Sequence, residues 1–416
     1  MSAPRSNLRR LLLRSWRFDL TSGGRTLVAA ILISGVAGSV TVMVPVYCIF
    51  IAMLILYVAA GSVSLALRPR LRIEGPLPDH AAAGHRLQAR LTVVNDSPRR
   101  RAFDVGLGLF NLPRALEQLN VTDSIASLGA GQTAALTVDL LARRRGQYDM
   151  GVLTAYSSFP FNLVRRMGGT RAAGRLTVVP DFTPLERLEL PMTQRHQPGG
   201  IAFSSRVGES PEYYGSRDFR PGDSTRHIDF RSWARLAAPA VKEFQEEYYS
   251  RVALVLDTYM PASLPLSTRP AEALEAAVSL TAAVAEVLSR GEYIVDIFAA
   301  GPELYTFRTG RHTTAFESIL DVLACVGPCR ANPFVKLTPE LVNILTNVSA
   351  MVCVLLEWDA PRLELIRAAA QSGCNVKVAL VSDRPVPPEL QGDEPWMTSV
   401  RVCTAADVRE GRVLSL

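Results

Sequence analysis

Between Thr26 and Leu67 the chain carries no charged side chain at all. A hydrocarbon core of about 30 Å takes about 20 apolar residues at about 1.5 Å rise each, so this run holds two membrane-spanning lengths. Pro45 falls near its middle, where a residue without a backbone donor suits the bend of a helical hairpin. The expected helices run from about Thr26 to Val44 and from about Val46 to Leu67. Gly35, Ala37 and Gly38 of the first permit close approach to Ala52, Ala59 and Ala60 of the second.

The flanks give an orientation. Arg5, Arg9, Arg10, Arg14, Arg17 and Arg25 precede the run and Arg68, Arg70 and Arg72 follow it, while the bend has no lysine or arginine. Positive flanks stay inside, so a multi-pass protein of the inner (plasma) membrane is expected, with its soluble domains in the cytoplasm. A cleaved signal peptide over the first half is the rival reading, and the second full-length apolar stretch argues against it. The net charge of +6 invites a nucleic-acid reading, but much of the surplus is in these flanking arginines. Six cysteines, Cys48, Cys325, Cys329, Cys353, Cys374 and Cys403, form no disulfide framework. Cys325 and Cys329 lack a second ligand pair at zinc spacing, which leaves reduced thiols as the simpler account.

From about residue 70 to 185 the pattern is that of strands. Leu87–Asn95, Ala134–Leu141 and Arg175–Val179 alternate apolar and polar residues between turn signals such as Gly129-Ala130-Gly131. An antiparallel, immunoglobulin-like β-sandwich is expected. Arg195–Ser216 reads as a loop within a linker and signature region, 186–250. Beyond it, 251–416 alternates strand and helix. Arg251–Asp257 is a buried parallel strand, Ala271–Arg290 a helix closed by Gly291, and Tyr293–Phe298 a strand. A helix around Phe316–Val326, strand Met351–Leu356, helix Pro361–Ser372 and strand Val376–Val381 follow. That succession implies a doubly wound parallel sheet, a Rossmann-like α/β domain. The organisation is therefore a basic N-terminal segment (1–25), a helix pair (26–67), a β domain (70–185), a linker (186–250) and an α/β domain.

The linker holds the densest chemistry. Pro221-Gly222 is a turn pair, and Asp223 can cap it and reach Arg226. Phe219, Ile228, Phe230 and Trp233 are expected to bury a local apolar patch beneath a surface of interleaved arginines and aspartates. Two roles stay open for those charges: fixing the segment in place, or binding a partner.

Arg217, Phe219, Pro221-Gly222-Asp223, Arg226, Ile228, Ala234-Arg235 and Lys242-Glu243-Phe244 closely resemble the signature of the domain of unknown function 58 family. That signature reads Arg-x-Tyr-x-Pro-Gly-Asp-x-x-Arg-x-Ile-x-Trp, then Ala-Arg and Val-Lys-Glu-Phe. Phe219 stands here for the tyrosine and Phe230 for the tryptophan. Arg145-Gly146-Gln147-Tyr148 and Pro160-Phe161 match further family phrases. The resemblance implies a C-terminal von Willebrand factor A-like domain. It also implies a membrane-tethered scaffold or adaptor that partners a MoxR-type AAA+ ATPase in chaperone-like assembly or maturation of other proteins.

A von Willebrand factor A domain chelates a divalent ion through Asp-x-Ser-x-Ser after its first strand. Asp257 keeps the aspartate, but Tyr259 and Pro261 stand at the two serine positions, so the site is degenerate and no metal or other cofactor is expected. Thr258, Glu357, Asp359 and Asp383 are the oxygen donors nearest to compensating at the strand ends. The five histidines, His80, His85, His196, His227 and His312, fall in no nucleophile or metal-ligand arrangement, and no Walker A or His-Glu-x-x-His motif occurs. A non-enzymatic role with no small-molecule substrate and no nucleic-acid partner is expected. A metal-dependent hydrolase at the carboxyl ends of the α/β sheet is the alternative.

Overall fold

A computed structural model describes residues 19–40, 44–190, 212–221, 223, 225–245, 251–260, 268–291, 293–300, 304–308, 314–334, 348–383, 397 and 399–416. The chain divides into two compact units near Asp181 and Phe182, with the end of a later helix, Leu320–Cys325, grouped with the first.

The first unit begins with helices α1 (Ser22–Val40) and α2 (Val44–Ala66). Among the described residues one helix, Pro45–Ala66, is long and apolar enough to cross a membrane. Both helices start a few residues earlier than the sequence suggests. Pro45 lies in the first turn of α2 rather than between helices, because the first-turn N–H groups have no partner inside a helix and proline loses nothing there. The helices lie side by side and antiparallel: a Cβ on Gly35 would meet the Phe50 ring at 3.2 Å, and one on Gly38 the Tyr47 ring at 3.6 Å. Their remaining faces are apolar and bare, with Ile33, Val36 and Ile55 more than three-fifths exposed.

The β domain follows as β1 (Leu71–Glu74), β2 (His80–Ala82), β3 (Arg86–Asn95), β4 (Ala102–Phe110), β5 (Leu116–Gln118) and β6 (Ser124–Leu128). It continues with β7 (Thr133–Ala142), β8 (Gly146–Asp149), β9 (Val152–Ser157), β10 (Arg166–Ala172) and β11 (Arg175–Val179). Two four-stranded antiparallel sheets, ordered β1-β3-β7-β5 and β10-β9-β4-β6, form its faces. Leu91, Val93, Val138 and Leu140 of one meet Val105, Leu107, Leu153 and Ala155 of the other in a single core. A third sheet, β2-β11-β8, contains a parallel pair, β2 with β11, that the alternating pattern did not foretell. Leu176 and Val178 of β11 complete the same core.

In the second unit a two-stranded antiparallel ribbon, β12 (Glu212–Asp218) with β13 (Ala240–Gln245), encloses a 3₁₀ turn (Thr225–His227) and the short helix α3 (Phe230–Leu236). Glu212–Ser216 is thus strand rather than the expected loop; the rest of that loop lies outside the described residues, as do His196 and His312.

The α/β domain comprises β14 (Arg251–Leu256), α4 (Thr268–Arg290), β15 (Ile294–Ala300), β16 (Leu304–Arg308), α5 (Thr314–Cys325) and β17 (Ala350–Leu355). α6 (Ala360–Gln371), β18 (Asn375–Val381), β19 (Val400–Cys403) and α7 (Ala405–Arg409) complete it. The sheet order is β16-β15-β14-β17-β18-β19, parallel except for β16 at one edge. β17 and, after its first residue Arg251, β14 consist of fully apolar runs because both their faces are covered. The strand order reverses between them, so the carboxyl ends of β14 and β17 flank the crevice where doubly wound sheets gather ligands.

Candidate functional site

Two places in the second unit carry concentrated chemistry: the switch point of the sheet, and the ribbon of the signature.

At the switch point Asp257 ends β14 with its side chain fully buried. Its Oδ1 accepts from the backbone N–H of Tyr259 at 2.8 Å. Its Oδ2 accepts from the N–H of Leu356 at 2.9 Å and from Arg362 Nε at 2.6 Å. Neither oxygen is left uncommitted. Two backbone N–H groups and a buried guanidinium thus hold the carboxylate. Arg362 is 1 % exposed and lies in the first turn of α6. It also pairs through Nη1 with Asp359, donates from Nη2 to the Tyr259 carbonyl at 3.2 Å, and lies over the Tyr259 and Phe334 rings. Burial raises the Asp257 carboxyl above its ordinary pKa, and the Arg362 charge pulls against that rise. For Arg362, burial works to lower the pKa, but the Asp257 and Asp359 charges prevail and hold the guanidinium protonated.

Two of the other oxygen donors named for this site, Asp359 and Asp383, are already engaged. Asp359 caps α6, accepting from the N–H of Arg362, and Asp383 accepts from the N–H of Ala405. Thr258 is fully buried, and its hydroxyl has no hydrogen-bond partner among the described residues. A cation brought to Asp257 would meet a positive charge already seated on the carboxylate. No group of three or more metal-ligating side chains occurs among the described residues. Sequence reasoning passed over Arg362. The signal was an arginine in the first turn of a helix, where the positive end of the macrodipole disfavours a cation unless a carboxylate faces it.

The ribbon assembles most of the signature. Arg217, on β12, grips Asp223 with both terminal nitrogens, at 2.7 and 2.8 Å. Asp223 also accepts the Arg220 N–H at 2.7 Å, closing the turn around Pro221; Gly222 lies outside the described residues. Arg217, six residues back, is thus the guanidinium clamped on this carboxylate, where Arg226 was expected. That grip, with the Arg220 N–H, holds the Asp223 pKa down to about 2. Arg226 sits exposed in the 3₁₀ turn, and Ile228 bridges to Val241 of β13. Phe219 is half-buried, its N–H bonded to the Pro239 carbonyl.

Asp229 initiates α3. Its carboxylate accepts from the N–H groups of Arg231 and Ser232 and from the hydroxyls of Ser216 (2.6 Å) and Ser232 (2.7 Å). Those bonds, the Ser216 hydroxyl foremost, hold its pKa far below the usual carboxylate range. Because the cap starts the helix at Phe230, that ring and Trp233 emerge side by side on the outer face, stacked 6.2 Å apart at 18°. Phe230 is 69 % exposed, Trp233 38 % and Leu236 56 %. The expectation that Phe230 and Trp233 are buried is therefore corrected: among the described residues of the ribbon, those buried are Asp229, Ala240 and Val241. Ala234 and Arg235 are exposed on α3, and Lys242 is exposed on β13, the strand that also carries Glu243 and Phe244. The result is a bare apolar strip bordered by Arg231 and Arg235, with the Arg217–Asp223 clasp at the base of the turn.

Residues 215–383 match the sequence model of a family described as Protein of unknown function DUF58, the family whose signature the ribbon resembles. No curated protein matches the chain. Among solved structures, a von Willebrand factor type A protein from Catenulispora acidiphila aligns at 12 % identity and a TM-score of 0.25, over 42 % of this chain and 43 % of that one. The CARDB domain of a Pyrococcus furiosus protein, in complex with di-metal ions, aligns at 17 % identity and a TM-score of 0.17, over 26 % of this chain and 86 % of its own. A Pseudomonas fluorescens alkylpurine DNA glycosylase bound to DNA aligns at 14 % identity and a TM-score of 0.18. This chain covers 33 % of its length, with 28 % of its own residues aligned. All three scores fall below 0.5, so the functional reading is carried by the chain's own residues.

Proposed function

We propose that this protein is a non-enzymatic, membrane-anchored scaffold whose ribbon docks a partner protein. The observation that carries the reading is the solvent-facing Phe230–Trp233–Leu236 strip, mounted on a turn that two saturated carboxylates make rigid. Exposed tryptophan, aromatic and arginine side chains on a preorganised support are the composition of binding hot spots. The support is already ordered, so a partner does not have to supply the entropy of forming it.

The anchor is the hairpin α1–α2, crossing twice with both soluble units in the cytoplasm. The antiparallel packing of Gly35 beside Phe50 and the arginines on both flanks support this arrangement. The partner that the family resemblance points to is a MoxR-type AAA+ ATPase, with assembly or maturation of other proteins as the shared task. A hydrolase at Asp257 is the less favoured reading, since its chemistry would first have to displace Arg362.

The test is direct. The full chain in detergent is mixed with the purified ATPase, and co-elution and nucleotide hydrolysis are measured for wild type and for Phe230→Ser with Trp233→Ala. Co-elution by wild type alone, with a changed hydrolysis rate, supports the scaffold. Equal retention by both proteins, or by neither, sinks it.

A further inference from the structure

We infer that the base of the β domain is a membrane-seating foot, in which Phe161 enters the headgroup layer of the bilayer and a collar of arginines contacts lipid phosphates. The inference rests on the reading that the helix pair spans the membrane.

The turn between β9 and β10 is fastened to the start of α1. The Thr21 hydroxyl donates to the Asn162 carbonyl, and the Thr21 N–H donates to the Leu163 carbonyl at 3.2 Å. The Arg165 N–H donates to the Asp19 carbonyl at 2.7 Å, and Leu20 bridges to Val164. A Cβ on Gly24 would collide with the Leu163 carbonyl, so only glycine permits this approach. Leu20, Ala60, Leu163 and Val164 bury one another in a small core, with Leu27, Val28 and Tyr57 against it. The turn is thus one solid piece with the helix ends, and its depth relative to a bilayer follows from theirs. Thr21 lies five residues before the uncharged run begins at Thr26, about 8 Å along the axis. The headgroup layer is about 5–8 Å thick on each side, so the Thr21 end of the turn lies in it, while Leu163 and Val164, packed on Leu27, Tyr57 and Ala60, reach into the uncharged run.

Within this fastened turn Leu163 and Val164 point inward, while Phe161 is 69 % exposed. It is held there with φ at 61°, followed by Asn162 at 50°, a left-handed pair that L residues adopt at a cost. A large ring kept outward at that depth by a strained backbone is fitted to a lipid environment. Three arginines surround the same level. Arg166 Nε donates to Ser64 Oγ at 3.1 Å, Arg100 Nη1 to the Ala66 carbonyl at 3.1 Å, and Arg68 Nε to the Met167 carbonyl at 3.2 Å. Each of these bonds goes to a neutral oxygen, so it positions the guanidinium without neutralising it. Positive charge in the headgroup layer meets phosphate there.

The experiment uses the full chain reconstituted in vesicles of phosphatidylcholine with a minor share of phosphatidylglycerol. Phe161→Trp adds one fluorophore, read as the difference from wild type. The expected result is emission quenched by lipid brominated near the glycerol and shielded from aqueous iodide. Emission quenched by iodide and indifferent to bromolipid would overturn the foot. Carbonate extraction separates the two readings. Protein released by carbonate refutes the spanning helices, and the foot with them; protein retained with a water-exposed Trp at 161 refutes the foot alone. In a second arm, Arg68→Gln, Arg100→Gln and Arg166→Gln together should lower the enrichment of phosphatidylglycerol over phosphatidylcholine around the protein, several-fold per arginine removed. Unchanged enrichment refutes the collar.

Discussion

Two of the arginine–aspartate clasps in the second unit differ mainly in their surroundings. Arg362 and Asp257 are sealed at 1 % and 0 % side-chain exposure, between the ends of β14 and β17. Arg217 and Asp223 stand at 33 % and 18 %, at the neck of a ribbon. In the interior the charges have lost their water, so each is viable only with the other, and the pair closes the crevice it occupies. At the ribbon, solvent supports both ions, and the clasp serves as a brace that shapes a turn and leaves a surface open. The same two functional groups thus fill a crevice in one place and brace an exposed turn in another.

Breaking the interior clasp should have the largest effect. Arg362→Met leaves Asp257 buried without its cation, and a loss of about 3–5 kcal/mol is expected in chemical denaturation. Arg362→Lys keeps the charge without the planar fork and should recover only part of that loss. A variant as stable as wild type would show that the clasp does not hold the sheet. At the ribbon the reverse pattern is expected. Trp233→Ala should leave stability within about 0.5 kcal/mol, yet weaken partner binding by about 2 kcal/mol, roughly thirty-fold, in a titration with the ATPase.

Acid sharpens the contrast further. Asp223 and Asp229 titrate lower in the folded ribbon than in an unfolded chain. Their contribution is therefore complete above the ordinary carboxylate range and is lost only as pH falls toward about 2, where Asp223 protonates. Amide exchange across 217–232 should stay slow at pH 4 and quicken below about 3. Loss of protection already at pH 5 would mean that these carboxylates do not brace the turn. The smallest effect is expected at Ala237, which ends α3 with φ at 54°. Ala237→Gly relieves a left-handed alanine and should steady the ribbon by less than about 1 kcal/mol, read as slower exchange in α3.

Much of the α/β domain was legible in the sequence. Val252–Leu256 and Ala350–Leu355 are continuous apolar runs, and only a strand covered on both faces needs such a run. The helix Thr268–Arg290 carries a pattern long enough to leave no doubt of its period. Leu304–Arg308 and Val400–Cys403 went unread because both are short edge strands, one-sided in their pairing and weak in pattern. In the ribbon, the residues of the signature were found but their orientation was not. Phe230 and Trp233 are apolar and were expected inside. The Asp229 cap, with its four hydrogen bonds, sets the phase of a two-turn helix and turns both rings outward.

Sequence alone determined what depends on local order: an uncharged run long enough to cross a bilayer, strand and helix periods, and a Pro-Gly-Asp turn. Each is a property of neighbours in the chain, and residue spacing records it. The tertiary structure decided what depends on distant residues meeting. Arg362 reaches Asp257 across 105 positions, and Thr21 fastens to Asn162 across 141. Such contacts leave no periodic trace, because a buried charge or a strained turn finds its partner only once the sheets have closed around it.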